Sequence, residues 1–473
     1  MKRILIILLL PLVIKAQKNY PALLDSFMQA EVAVNHFNGN VLVAKSGNII
    51  YQKAFGYRNY ETKELLDNNS VFELASVSKQ FTAMGVLLLK EKGKLKLSDS
   101  LRKFFPELPY NNITIQNLLT HTSGLPSYED EMEIAGKWNH KKIASNNDVI
   151  SFLAQEKPAI HFKPGKKWEY SNTAFVLLAS IIEKVSGQTF KEYMEMNVFK
   201  PLHMQYSRVY NTRRSTKEII QNYAYGYVYS DSLRKYILPD SLPGYDFVIY
   251  LDSIQGDGII NSTTGDLLTW DRAIKNHILL SEAAQNQMLS PQSVMDTISK
   301  RYYGYGEILG KNEIGSYVMH SGGWPGYHTM LFRYLTNDIT IIVLSNNESN
   351  STMLAGALAY IVTDRQVIAP YTHTAVTIDR ALLNRYVGKY TIPNVPKATE
   401  MELFKKENKL FYRFIKSTTE IELKPESPTK FFAANNNNIQ IEFKVDSLGR
   451  VSNAFYIIYD MKKGIKKINE KRF

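Results

Sequence analysis

The stretch Phe72-Glu73-Leu74-Ala75-Ser76-Val77-Ser78-Lys79-Gln80-Phe81-Thr82-Ala83 places a hydroxyl and an amine three residues apart where a long apolar run begins. On a helix that spacing puts both side chains on one face. A serine hydroxyl is a poor nucleophile at neutral pH and needs a base within hydrogen-bond reach, which a lysine amine in a desolvated site can be. The same four-residue pattern also starts at Ser100, Ser232 and Ser427, so setting must distinguish Ser76. The run Phe81 to Leu89 is apolar nearly all round and predicts a buried helix, whose positive end and free N–H groups face the Ser76 hydroxyl.

The chain has 473 residues, 44% hydrophobic and 22% charged, enough for a large core and more than one domain. Met1-Lys2-Arg3, the apolar run Ile4 to Ile14 and Lys15-Ala16-Gln17 follow the order of a secretory signal, with cleavage expected after Ala16. As a helix that run spans ~16 Å, short of a ~30 Å hydrocarbon core; an uncleaved anchor is the alternative. There is no cysteine, which excludes disulfides, thiolate metal sites, thiol catalysis and lipidation of an N-terminal cysteine. The formal charge of +12 reads as a solvated basic surface, which in a secreted protein can also associate with an anionic wall or membrane. No nucleic-acid motif accompanies it.

Taken in order, Asn19 to Asn38 predicts a surface helix, and Gly39 to Gly56 a β-hairpin around a Ser-Gly-Asn turn. Asn112 to His121 predicts a short helix. His121 beside Ser123 is assigned a structural role, because neighbours in a turn rarely face each other and no nucleophile elbow surrounds them. Ser127 to Asn147 is unpatterned and reads as a loop or small excursion that could wall a cleft, and Ala174 to Val185 as a second buried helix preceded by Tyr170-Ser171-Asn172. Pro201 to Asp252 reads as an all-β or irregular excursion. Gly256-Asp257-Gly258 leads to a capped helix over Thr264 to Ile274. Strands are expected at Tyr305 to Leu309, Gly315 to His320, Met330 to Tyr334 and Ile339 to Ser345, then a helix over Thr352 to Arg365.

Three pieces thus occur in the order Ser76-x-x-Lys79, Tyr170-x-Asn172, His320-x-Gly322. With Phe37-Asn38-Gly39, Leu118-Leu119-Thr120-His121-Thr122-Ser123-Gly124-Leu125 and Phe162-Lys163-Pro164-Gly165, they make the chain resemble the serine β-lactamase and penicillin-binding superfamily. The resemblance is to the branch of class C β-lactamases, D-alanyl-D-alanine carboxypeptidases and related esterases.

It implies a mixed α+β and α/β fold: an antiparallel sheet flanked by helices, with an all-helical subdomain inserted. A small all-β C-terminal domain follows. The expected organisation is a signal peptide at 1–16, the hydrolase at 17–367, a linker at 368–376 and a β-barrel-like unit at 377–473.

By the same resemblance, Ser76 would attack a carbonyl to form an acyl-enzyme, with Lys79 and Tyr170 sharing the proton. Asn172 would orient Lys79 and contact substrate. His320, Ser321, Gly322 and Gly323 would line the substrate, with the oxyanion between the N–H groups of Ser76 and Gly323. No metal or organic cofactor is implied. His320 stands where the β-lactamases have lysine and is a weaker anion partner, so the expectation is a peptidase or esterase acting on D-amino-acid peptides or esters, secreted or periplasmic. A class C-like β-lactamase and a non-catalytic binding protein are the alternatives. The cell-wall peptides and β-lactams implied as ligands are small, and oligomeric state is not encoded in these motifs. Ending the chain at Val376 is expected to leave a soluble, folded hydrolase; insoluble product from that truncation would refute the domain boundary.

Overall fold

The computed structural model of the chain describes residues 18–134, 136–211, 218–391, 400–415, 417–458 and 461–468; the expected signal peptide lies outside them. No helix among the described residues is long and apolar enough to cross a membrane.

The hairpin forms as the turn chemistry requires. Strands β1 (Gly39–Lys45) and β2 (Asn48–Phe55) are joined by Ser46 and Gly47, both at positive φ, the conformation that matches the twist of paired strands. Six more strands come from the far end of the hydrolase region: β3 (Ser293–Asp296), β4 (Arg301–Tyr303), β5 (Ile308–Lys311), β6 (Ser316–Trp324), β7 (Tyr327–Tyr334) and β8 (Ile339–Ser345). Together they make one eight-stranded sheet in the order β3-β4-β5-β6-β7-β8-β1-β2. The two sequence ends meet where β1 pairs antiparallel with β8, Val41 opposite Val343 and Val43 opposite Ile341.

Period-two alternation divides this sheet between two cores. Leu42, Ala44, Ile342 and Leu344 face the catalytic-side core, together with helices α2 (Lys79–Glu91) and α3 (Asn172–Ser186). Val41, Val43, Ile341 and Val343 face the opposite core, under α1 (Tyr20–Asn35) and α5 (Ser351–Val362). Between the sheet and α2 lies α4 (Thr264–Lys275), whose Trp270 ring stacks on Phe81 at 4.2 Å and donates its N–H to the Gln80 side-chain oxygen at 3.0 Å.

The subdomain around α3 is helical, with short helices at Ile115–Leu119 and Tyr128–Glu133 and a longer one at Asn146–Glu156. Ser127 to Asn147, read as a loop or small excursion, carries a short helix at Tyr128–Glu133. Its start is set by Ser127, whose hydroxyl accepts the Asp130 N–H at 3.1 Å, a local cap that hydrophobic periodicity does not reveal. Within Pro201 to Asp252 the described residues carry a short strand at Arg208–Val209 that pairs with Ile260–Ser262, a two-stranded hairpin, Val228–Ser230 with Lys235–Ile237, a 3₁₀ turn at Pro239–Ser241 and one turn of α-helix at Phe247–Tyr250.

The C-terminal strands, β9 (Gly388–Thr391), β10 (Met401–Lys406), β11 (Lys409–Phe414), β12 (Ile421–Ser427), β13 (Lys430–Ala433), β14 (Asn436–Val445), β15 (Val451–Ile458) and β16 (Met461–Lys467), close into a barrel. Its interior is filled by side chains such as Tyr390, Leu403, Phe431 and Phe443. The stretch 368–376, read as a linker, lies against this barrel. His373 stacks on Phe432 at 4.8 Å, and the Val376 N–H donates to the Pro425 carbonyl at 2.8 Å.

A buried carboxyl sits where α1 meets the barrel. Asn35 donates to both Glu31, at 2.7 Å, and Asn438, at 3.0 Å, and burial raises the Glu31 carboxyl from 4.5 to about 7. A carboxyl held neutral in the fold but ionised in the unfolded chain stabilises the fold fully below its unfolded value. That contribution is lost as pH rises through about 7. Melting temperature should therefore fall between about pH 5 and pH 8, and Glu31→Gln should flatten the fall; an unchanged slope in the variant would refute the assignment.

Candidate active site

Ser76 is held at a turn tied down on both sides. The Leu74 N–H donates to the Ile260 carbonyl at 2.8 Å, the Leu74 carbonyl accepts the Thr329 hydroxyl at 2.6 Å, and the Ser78 hydroxyl accepts the Ile260 N–H at 3.1 Å. Between these anchors the chain reverses through Ala75 at φ 47, a left-handed conformation costing roughly 1–2 kcal/mol for a residue with a β-carbon. A 3₁₀ turn at Ala75–Ser78 then feeds α2. With three residues per turn, Ser76 and Lys79 are aligned one above the other more closely than an α-helix would align them.

Lys79 is fully buried. Its Nζ lies 3.1 Å from Ser76 Oγ, 2.7 Å from Asn172 Oδ1 and 2.7 Å from the Asp257 carbonyl. Asn172 opens α3, and the preceding Ser171 caps that helix by accepting the Ala174 N–H at 3.2 Å. The second motif is thus the helix N-terminus itself, which is why its three residues keep a fixed spacing. Tyr170 stands on the other side of the amine, with its ring centre 4.9 Å from Nζ. The Tyr170 side chain is 37% exposed.

Two acids that sequence reasoning missed complete this wall. The Asn172 amide donates to both oxygens of Glu129, at 2.9 and 3.0 Å, and the Tyr128 hydroxyl donates to Asp257 at 2.9 Å. Burial, then the neighbouring Asp257, raise the Glu129 carboxyl to about 7. Burial also raises Asp257, against the pull of Lys79. Ser76, Tyr128, Glu129, Asn172, Asp257 and Gly323 share the lining of one cavity of about 80 Å³. The only hint in the sequence was Gly256-Asp257-Gly258, two glycines around a single acid.

The third motif lies on β6. A β-carbon at Gly322 would come within 2.1 Å of the Leu74 carbonyl and 2.3 Å of the Thr329 hydroxyl, whereas one at Gly323 would meet nothing within 4 Å. Glycine at 322 thus lets the strand approach the Ser76 turn; at 323 it leaves open cavity. His320 is 2% exposed and lies on the same face of β6 as Gly322, with its ring 6.2 Å from that of Tyr170, so it is packed beside the site rather than open to substrate as expected. Its Nδ1 bonds the Ser321 carbonyl at 2.7 Å and so carries the proton, leaving Nε2 to accept the Tyr303 hydroxyl at 3.1 Å. Burial, and then Lys79, lower it to about 3, so it is a neutral imidazole.

His121 is also buried. Its Nδ1 accepts the Ser171 N–H at 3.0 Å and its carbonyl the Glu169 N–H at 2.9 Å, and its ring lies 4.4 Å from that of Tyr170. Ser123 accepts the Leu125 N–H instead, so the two do not pair. Of the expected residues, the structure hydrogen-bonds Ser76, Lys79 and Asn172 together and sets Tyr170 beside them. Gly323 lies on the cavity, Gly322 packs against the Ser76 turn, and His320 is buried beside Tyr170.

Against known proteins, the β-lactamase family model matches residues 24–363. The chain is 40% identical over 439 residues to penicillin-binding protein 4* of Bacillus subtilis, covering 90% of this chain and 93% of that protein. Among solved structures, an octameric penicillin-binding protein homologue from Pyrococcus abyssi superposes with a TM-score of 0.65 at 24% identity. It covers 94% of this chain and 99% of that one. A D-amino acid amidase from Ochrobactrum anthropi superposes at 0.57 and 20% identity over 73% of this chain and 96% of the other. At those identities the two structures establish a shared fold.

The two glycines predict different outcomes. Gly322→Ala should lower both stability, by about 1–3 kcal/mol, and reaction at Ser76. Gly323→Ala should leave the melting temperature unchanged while slowing reaction with acyl donors. Thermal melts and probe labelling of both variants check this, and equal loss of stability in the two would contradict it.

Proposed function

From the premise that the chain belongs to the β-lactamase family, a family of serine hydrolases and acyl-transferases, we propose that it forms an acyl-enzyme on Ser76 and hydrolyses D-amino-acid peptides or esters. The observation that carries this reading is the set of contacts around Lys79 Nζ. A neutral amine has two N–H donors and one lone pair. The Asn172 and Asp257 oxygens, each at 2.7 Å, can take both donors, leaving the lone pair for the Ser76 hydroxyl at 3.1 Å. In that state Lys79 accepts the serine proton as Oγ attacks the carbonyl carbon.

The proton then has to reach the leaving group. Tyr170, beside the same amine and partly open to solvent, would be the partner in that transfer. The negative charge on the carbonyl oxygen would be held between the N–H groups of Ser76 and Gly323, which share the cavity wall. Each such donor is worth on the order of a hundredfold to a thousandfold in rate. Water then hydrolyses the ester on Ser76 by the reverse proton path.

Small-molecule or peptide donors, among them carboxypeptidase and esterase substrates, suit this chemistry. The N-terminal segment Met1 to Ala16 is proposed to direct the protein to secretion or the periplasm.

A fluorophosphonate probe should label the protein on Ser76, with labelling abolished in Ser76→Ala and slowed by roughly a hundredfold to ten-thousandfold in Lys79→Ala. Mass mapping of the adduct reads this, and no labelling of the wild type would sink the proposal. Faster turnover of a cephalosporin than of D-Ala-D-Ala peptides and short esters would move the assignment to a β-lactamase.

A further inference from the structure

We propose that this active site selects by charge: it takes acyl donors that are neutral or cationic and disfavours donors carrying a free carboxylate, so that amides and esters are its substrates ahead of peptides ending in a carboxylate. The inference rests on the serine-hydrolase reading above and narrows its substrate class.

Lys79 is the first reason. Its amine is the cation nearest Ser76, but its three neighbours, Ser76 Oγ, Asn172 Oδ1 and the Asp257 carbonyl, occupy every hydrogen-bonding direction of an ammonium group. An incoming carboxylate finds no donor there.

His320 is the second. The position on β6 from which a side-chain cation could reach substrate holds an imidazole with both nitrogens engaged. Protonating Nε2 would turn the Tyr303 oxygen into the acceptor and strand the tyrosine's own proton in a fully buried place, which is costly. Lys79 adds repulsion.

The third reason is the cavity wall. No lysine, arginine or histidine among the described residues lines the cavity that holds Ser76, while Glu73, Glu129, Asp252 and Asp257 do. Glu129 receives only the amide of Asn172 on its two oxygens, although a carboxylate has about four acceptor sites. Spare acceptor capacity and negative charge therefore face the space an acyl group must enter. The charged groups acting on Glu129 are Asp257, Lys79 and Asp130.

For an amide, the Ser76 Oγ–carbon bond forms as the carbon–nitrogen bond breaks, and the serine proton leaves with the amine. Water then cleaves the ester, giving a carboxylic acid and restoring the Ser76 hydroxyl. The product carboxylate meets the same unfavourable wall, which favours its departure.

The test is a matched series of phenyl esters at about pH 8, where the Glu129 carboxyl, raised to about 7, is ionised. The acyl groups are N-(trimethylammonioacetyl)-D-alanine, a permanent ammonium cation, N-acetyl-D-alanine and N-succinyl-D-alanine. A fourth ester, of N-acetyl-D-alanine, carries a carboxylate on the phenyl leaving group. The ammonium and acetyl esters should exceed both carboxylate esters in kcat/KM by roughly tenfold or more. The same order should hold when the esters are read as competitors of fluorophosphonate labelling, which covers a donor that binds without turnover. The margin of the acetyl ester over the succinyl ester should widen from about pH 6 to pH 8 in the wild type and narrow in Glu129→Gln. Carboxylate esters that match or beat the neutral ones would overturn the proposal, as would a margin that ignores pH. Absence of labelling at Ser76 would instead overturn the hydrolase reading beneath it.

Discussion

A lysine amine with no solvent exposure must find its hydrogen-bond partners inside the protein, because leaving it unpaired there costs several kcal/mol. Lys79 finds them on three separate pieces of chain: the 3₁₀ turn carrying Ser76, the start of α3 at Asn172, and the carbonyl of Asp257. These pieces belong to the sheet-side core, the helical subdomain and the segment joining them. One buried amine therefore fixes the seam along which the active site opens, and anything that moves one of its three supports moves the nucleophile.

The surrounding histidines illustrate how burial changes what a side chain can do. His121 and His320 are both enclosed, and each has a nitrogen committed to the backbone, His121 accepting from Ser171 and His320 donating to Ser321. Burial disfavours the charged form of both. They act as neutral struts, one under the Tyr170 motif and one under the Gly322 strand. Glu129, raised to about 7, is instead an acid of the cavity wall that can change charge near neutral pH, and it has no motif around it.

Much of the architecture was readable because it follows local rules. The hairpin at Gly39 to Gly56, the strands at Met330 to Tyr334 and Ile339 to Ser345 and the helices after Ser76 and Asn172 follow from period-two alternation, turn residues and apolar runs, and the structure has each within a few residues. The Ser-x-x-Lys pattern itself was not decisive. At Ser100 the hydroxyl accepts the Arg102 N–H and at Ser427 the Lys430 N–H, so those copies serve as local caps. The short helix at Tyr128–Glu133 has no apolar period because polar residues dominate it, and Glu129 and Asp257, 128 residues apart in sequence, show no relation until one meets the Asn172 amide and the other's carbonyl the Lys79 amine.

By itself the sequence determined the order of elements, the pairing of a nucleophile with an amine one turn away, and the placing of the second motif at a helix mouth. All are consequences of backbone periodicity and capping, which act over a few residues. Only the tertiary structure decided that the Lys79 amine is fully buried among three partners, that His320 is a buried neutral imidazole, and that the cavity wall is acidic. Those properties depend on how much water each group loses and on which distant atoms replace it, and desolvation of this kind exists only once the segments have packed together.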